Sequence, residues 1–204
     1  FVFNDKPLGR LGVAARNQGG AWYLDSVSLV NPEGSLNAKA VWKPGRGERT
    51  DLDFRIATSD VGKFLGRLGY AQAIRQGVAS LNGKVQWAGP PTAIDYPSLS
   101  GDMDLQAANG QFSKLEPGVG RLLGVLSLQA LPQRITLDFR DVFSEGFAFS
   151  RISGSIGVKA GVMRTDNLEI IGPAARVRLS GSADVAQETQ DLLVKVQPTL
   201  SESV

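Results

Sequence analysis

The stretch QFSKLEPGVGRLLGVLSLQALPQRITLDFRDVFSEGFAFSRI, residues 111–152, joins two alternating strands through one short helix and holds no catalytic group. Ile135, Leu137 and Phe139 alternate with Thr136, Asp138 and Arg140, the period of two of a strand with one apolar and one wet face. Phe147 and Phe149 repeat the pattern. The stretch therefore reads as a covered hydrophobic surface, and the same alternation runs outward from it in both directions.

Glycine supplies 24 of the 204 residues, about twice the usual share of roughly 7%, and falls between short alternating segments as turn punctuation. Strands are predicted over 8–16, 21–30, 35–42 and 50–57, with turns at 18–20, 31–34 and 44–45. A helix follows, opened by Ser59 or Asp60 and carrying Phe64, Leu65 and Leu68 on one face before Gly69. The plan then repeats, with strands over 77–87, 99–107 and 110–114 and a second helix from Pro117 to Leu126. Further strands fall at 134–139, 146–149, 153–160, 161–171, 174–179 and 192–197. About a dozen strands and two short helices predict a mainly β fold: one elongated, curled antiparallel sheet forming an open groove. Residues 1–204 form a single such segment, with 1–70 and 71–204 as its subdivision. The echoes GRLG at 9–12, GRLG at 66–69 and GRLLG at 120–124 hint at a repeated unit.

The chain has neither cysteine nor histidine, which removes disulfides, thiolate nucleophiles, Ser/His/Asp triads and the usual zinc and haem ligands. Neither a metal nor a cofactor is expected. The net charge is +2, with Lys and Arg spread singly rather than in runs among aromatics, so nucleic acid is not an expected partner. The chain opens on Phe1, and its longest apolar patch, 122–128, is too short to cross a bilayer; it reads as a segment of a longer protein.

Several local patterns have dull and chemical readings. The glycines of GVGRLLG at 118–124 mimic a dinucleotide fingerprint, but no βαβ unit surrounds them, and close packing of a helix on the sheet explains them better. The pairs Asp102/Asp104 and Asp138/Asp141 lie on wet faces, where solvated charge outweighs a glycosidase pair. Trp22, Trp42 and Trp87 fit a core better than a sugar platform or a headgroup-level belt. Arg176 and Arg178 fit solvent better than a phosphate headgroup.

Two runs carry a family likeness: GRLLGVLSLQALPQRITLDFRDVFSEGFAFSRISGSI from Gly120, and LEIIGPAA at 168–175. They resemble the carboxy-terminal region of the AsmA-like proteins of Gram-negative bacteria, in their large YhdP-type branch. The likeness extends through VGKFLGRLGY at 61–70 and GKVQWAGPP at 83–91, over about two thirds of the chain. It implies an inner-membrane-anchored periplasmic protein whose apolar trough carries phospholipid acyl chains toward the outer membrane, with envelope proteins or that membrane as further partners. No enzyme chemistry is implied. The expected groove lining is Leu52, Phe54, Ile56, Val85, Trp87, Met103, Leu105, Ile135, Leu137 and Phe139. Leu122, Leu123, Val125 and Leu126 are expected to dock the second helix against one end of the apolar face. The alternative is a structural or protein-interaction β-module of the envelope without lipid cargo.

Overall fold

A computed structural model describes residues 1–3, 6–70, 73–113 and 146–199. Ten strands form one antiparallel sheet, open and curled: β3 (Arg10–Gln18), β4 (Ala21–Asn31), β5 (Gly34–Lys43), β6 (Arg49–Thr58), β7 (Ile74–Ala88), β8 (Ser100–Phe112), β9 (Phe147–Lys159), β10 (Val162–Ile171), β11 (Ala175–Asp184) and β12 (Thr189–Pro198). Spatial order equals chain order, so every internal strand pairs with its sequence neighbours. A separate two-stranded ribbon, β1 (Val2–Phe3) with β2 (Lys6–Pro7), precedes it. No helix among the described residues is long and apolar enough to cross a membrane.

The helix α1 (Val61–Arg67) connects β6 to β7. Asp60 is its N-cap, accepting a 3.0 Å bond from the Lys63 N–H, and that bond is the leading reason its carboxyl titrates below the usual range. Gly62 lies against the backbone of Ile74–Gln76, where a Cβ would stand 2.6 Å from the Ile74 carbonyl oxygen; α1 is thereby seated on β7. The second helix expected at 117–126 and the strand expected at 134–139 lie outside the described residues. So does the Asp138/Asp141 pair.

Where the sequence predicts two strands at 99–107 and 110–114, the structure has one, β8; likewise 146–149 and 153–160 fuse into β9. A line of irregular backbone crosses both. Gln76 and Gly77 in β7 and Asn109 in β8 have positive φ, and Ser150 and Arg151 in β9 are both exposed. The alternation loses its phase along that line: Ile152 and Phe149, three apart, are both buried. The pairing itself continues, through Gly110↔Phe149 to Phe112↔Phe147, so the break resembles a strand end in sequence but is a kink within a strand.

Pairing sorts side chains onto two faces. One carries Lys39, Asp51, Asp53, Arg55, Lys84, Asp102 and Asp104; the other is apolar across all ten strands. Two buried clusters sit on the apolar face. Phe147, Phe149, Ile152, Ile170, Ala175, Val177 and Leu179 form the larger, and Trp87, Leu99 and Val158 the smaller.

Candidate lipid-binding face

The apolar face is built in transverse rows, one residue from each strand. Leu24, Ala40, Leu52 and Val85 form one row from β4 to β7. The next holds Val27, Ala38, Phe54, Gly83 and Met103, and the next Leu29, Leu36, Ile56, Leu81 and Leu105. Seven of the residues expected to line a groove therefore share one face: Leu52, Phe54, Ile56, Val85, Trp87, Met103 and Leu105. Ile135, Leu137 and Phe139 lie outside the described residues, as do the helix residues Leu122, Leu123, Val125 and Leu126.

The rows also bring in Leu24, Val27, Leu29 and Leu36, which the sequence reading left off the groove. The alternation of 21–30 and 35–42 was their signal. In β4 that signal is obscured by a register shift between Leu24 and Val27, which puts both on the apolar face with two residues between them.

The face divides into two halves. From β8 to β12 its side chains pack into the larger cluster, with Phe147 and Phe149 each only 2% exposed. From β3 to β6, Leu24, Val27, Leu29, Leu36, Phe54 and Ile56 belong to neither cluster and are half-buried. At the β3 edge exposure rises, to 40% for Leu11 and 56% for Val13. Gly83 keeps the middle of the open half low: a Cβ there would meet the Phe54 ring at 2.9 Å and Met103 Cγ at 2.7 Å. Apolar area left in this state carries a cost in water of about 25 cal/mol per Å², which an apolar ligand would remove.

Among the described residues the acidic side chains of β6 to β8 lie on the face opposite the apolar one. Asp102 and Asp104 are exposed on the opposite, polar face. Glu169 accepts a 2.9 Å bond from Arg178 Nε and stands 3.8 Å from Arg176, and the Arg178 bond foremost lowers its pKa. Arg176 and Arg178 are thus engaged in ion pairs rather than simply solvated. Lys84 and Asp53 meet at 3.5 Å on the same face. Among the described residues no group of three or more acidic side chains is placed to hold a metal.

At the α1 end, Arg67 Nε and Nη2 donate to the two Glu33 carboxylate oxygens, the second at 2.9 Å, and Lys6 Nζ donates to the Leu68 carbonyl at 2.6 Å. The Arg67 bond is the main cause of a lowered Glu33 pKa. At the other end, Thr50 is fully buried and donates to the Gly89 carbonyl at 2.7 Å.

The described residues thus define an open, curled antiparallel sheet with one apolar and one charged face. The chain belongs to the YhdP protein family, whose model matches residues 1–204. The intermembrane phospholipid transporter YhdP of Escherichia coli (strain K12) is 30% identical over 172 residues, which is 83% of this chain and 14% of that protein. The chain thus spans about a seventh of the length of the curated relative it matches. No solved structure matches it.

Proposed function

We propose that this chain is a lipid-holding segment of a periplasmic, inner-membrane-anchored phospholipid transport protein, in which acyl chains lie on the apolar face of β3 to β7. The observation that supports the reading is the half-buried part of that face among the described residues. The row of Leu24 closes at Ala40 and Leu52, but Val27, Leu29, Leu36, Phe54 and Ile56 of the next two rows join neither buried cluster. Transfer of acyl chains from water to such a face gains about 0.8 kcal/mol per buried methylene, while an open groove leaves the charged headgroup hydrated. The relative's transport of phospholipid between membranes supports the same cargo here. Leu52, Phe54, Ile56, Val85, Met103 and Leu105 are the proposed contacts, and Trp87 closes one margin. Ile135, Leu137 and Phe139 belong to the same proposed lining, with Leu122, Leu123, Val125 and Leu126 narrowing it.

Organic extraction of the purified chain followed by mass analysis tests this. Phospholipid should copurify with the parent and with Arg55→Glu, whose side chain is on the polar face, and should be lost from Phe54→Glu at equal folding. Equal lipid content in the two variants would remove the acyl-binding role of this face. The β-module alternative draws on the dry cluster of β8 to β12, and lipid-free protein throughout would favour it.

A further inference from the structure

All three tryptophans of the chain stand on a single row. Trp22, Trp42 and Trp87 are linked by pairing through Trp22↔Trp42, Trp42↔Thr50 and Thr50↔Trp87, on the apolar face at the end remote from α1. Trp42 Nε1 donates to Glu48 Oε1 at 2.8 Å, and Trp87 Nε1 donates to the Pro90 carbonyl at 3.0 Å. Both acceptors belong to the connections beyond the strand ends. The rings thus lie over the apolar face while the N–H groups meet a polar margin, the orientation indoles take at a headgroup boundary. Exposure along the row rises from 3% at Trp87 to 41% at Trp22, so the row is dry at β7 and open at β4.

The connection just beyond this row is the β5–β6 turn, KPGRGER over residues 43–49. Its charges are not all matched. Arg49 Nη2 lies 3.0 Å from Asp51, and Glu48 holds the Trp42 indole. Lys43 and Arg46 have no ion-pair partner among the described residues, and both are exposed. At the opposite end Arg67 and Lys6 are engaged by Glu33 and the Leu68 carbonyl, while Arg10 and Arg75 are exposed and in no ion pair among the described residues. The tryptophan row rather than free charge therefore distinguishes the two ends.

Depth fits as well. From Thr50 in the tryptophan row to Ile56 in the row nearest α1 is about 20 Å of strand at roughly 3.4 Å per residue. One leaflet's share of a bilayer's hydrocarbon is about 15 Å. Acyl chains whose ester end lies at the tryptophans therefore find apolar rows along their whole length.

We propose that the tryptophan row and the 43–49 turn form the headgroup end of the groove, where Lys43 and Arg46 take the phosphodiester of a phospholipid and the acyl chains run along the strands toward α1. This rests on the acyl-binding reading given above. Long basic side chains reach over such a rim while their stems stay on apolar surface.

Because the three indoles share one row, tryptophan fluorescence excited beyond the tyrosine absorption band reports that row alone. The probes are phosphatidylglycerol brominated either near the headgroup end or near the methyl end of its chains, presented in vesicles. Headgroup-end bromine should quench more strongly. The variant Lys43→Ala/Arg46→Ala, with its unfolding midpoint checked against the parent, should raise the apparent Kd by roughly fivefold. Stronger quenching by methyl-end bromine would overturn the headgroup placement while leaving acyl binding intact. No quenching by either lipid would overturn the acyl-binding reading and this inference with it. An unchanged Kd in the double variant would overturn the role of the turn. Displacement of the lipid by inorganic phosphate alone would show a free-anion site and overturn the lipid assignment; unchanged quenching in its presence supports it.

Discussion

Glu33 sits in the β4–β5 turn and ties three elements together. Its N–H donates to Asn31 Oδ1 at 3.1 Å, its carbonyl accepts from Thr58 Oγ1 at 2.7 Å and from the Ser59 N–H at 2.8 Å, and its carboxylate holds Arg67 of α1. Its side chain is 13% exposed. Because the Arg67 bond lowers its folded pKa, the ion pair contributes stability above the unfolded value of about 4.3 and loses it as pH falls through the lower folded value. Glu33→Gln is therefore expected to melt below the parent at neutral pH, and the gap should narrow from about pH 4.3 downward until the two coincide. Melting temperature measured across pH checks this, and a constant gap would mean that the pair is not what the substitution removes. Glu169, held by Arg178 and Arg176, follows the same sign. Neither pair was legible in the sequence. Glu33 and Arg67 are 34 positions apart, and only the return of the chain through β5, β6 and α1 brings them together.

At the scale of the strand, Gly110 is held to glycine by a neighbour. A Cβ there would stand 2.4 Å from Phe149 Cζ, because the Phe149 ring lies across the opposed residue of β8. Gly110→Ala should cost about 1 to 3 kcal/mol by overpacking, read as a lower denaturant midpoint with an unchanged slope. The strands themselves were largely readable, since ITLDFR-type alternation recurs in LDFRI at 52–56 and MDL at 103–105 with nothing to interrupt it. Reading failed where the backbone leaves the regular pleat. Asn109 at φ 55° and the register shift after Leu24 each move the apolar set by one residue, and period counting has no way to carry phase across such a point. The part of the apolar face that the sequence named, Leu52 to Leu105, lies in β6 to β8. The register shift in β4 falls just outside it, which is why its rows were legible and their continuation into β4 was not.

The sheet divides into a half whose apolar face is packed into a buried cluster and a half whose apolar face is only half-buried. Phe149→Ala, in the closed half, should cost about 3 to 5 kcal/mol of unfolding free energy. Phe54→Ala, in the open half, should cost distinctly less and lower the copurifying lipid instead; urea unfolding and lipid extraction on the two variants check the contrast. If Phe54→Ala proved as destabilising as Phe149→Ala, the open half would be core. One feature of the plan reaches further. Among the described residues, each strand from β3 onward bonds only to its neighbours in strand order, so such a sheet can lengthen strand by strand in the order of synthesis. Among the described strands each pairs with the one formed just before it, so the newest strand is the growing edge. A chain of this design can be extended or shortened by whole strand pairs without rewriting the pairing of the rest. Its reach is then set by the number of strands, at about 4.8 Å each. Deletion of the β11–β12 pair would leave the pairing of β3 to β10 intact with β10 as the new edge, at the loss of Ala175, Val177 and Leu179 from the larger buried cluster.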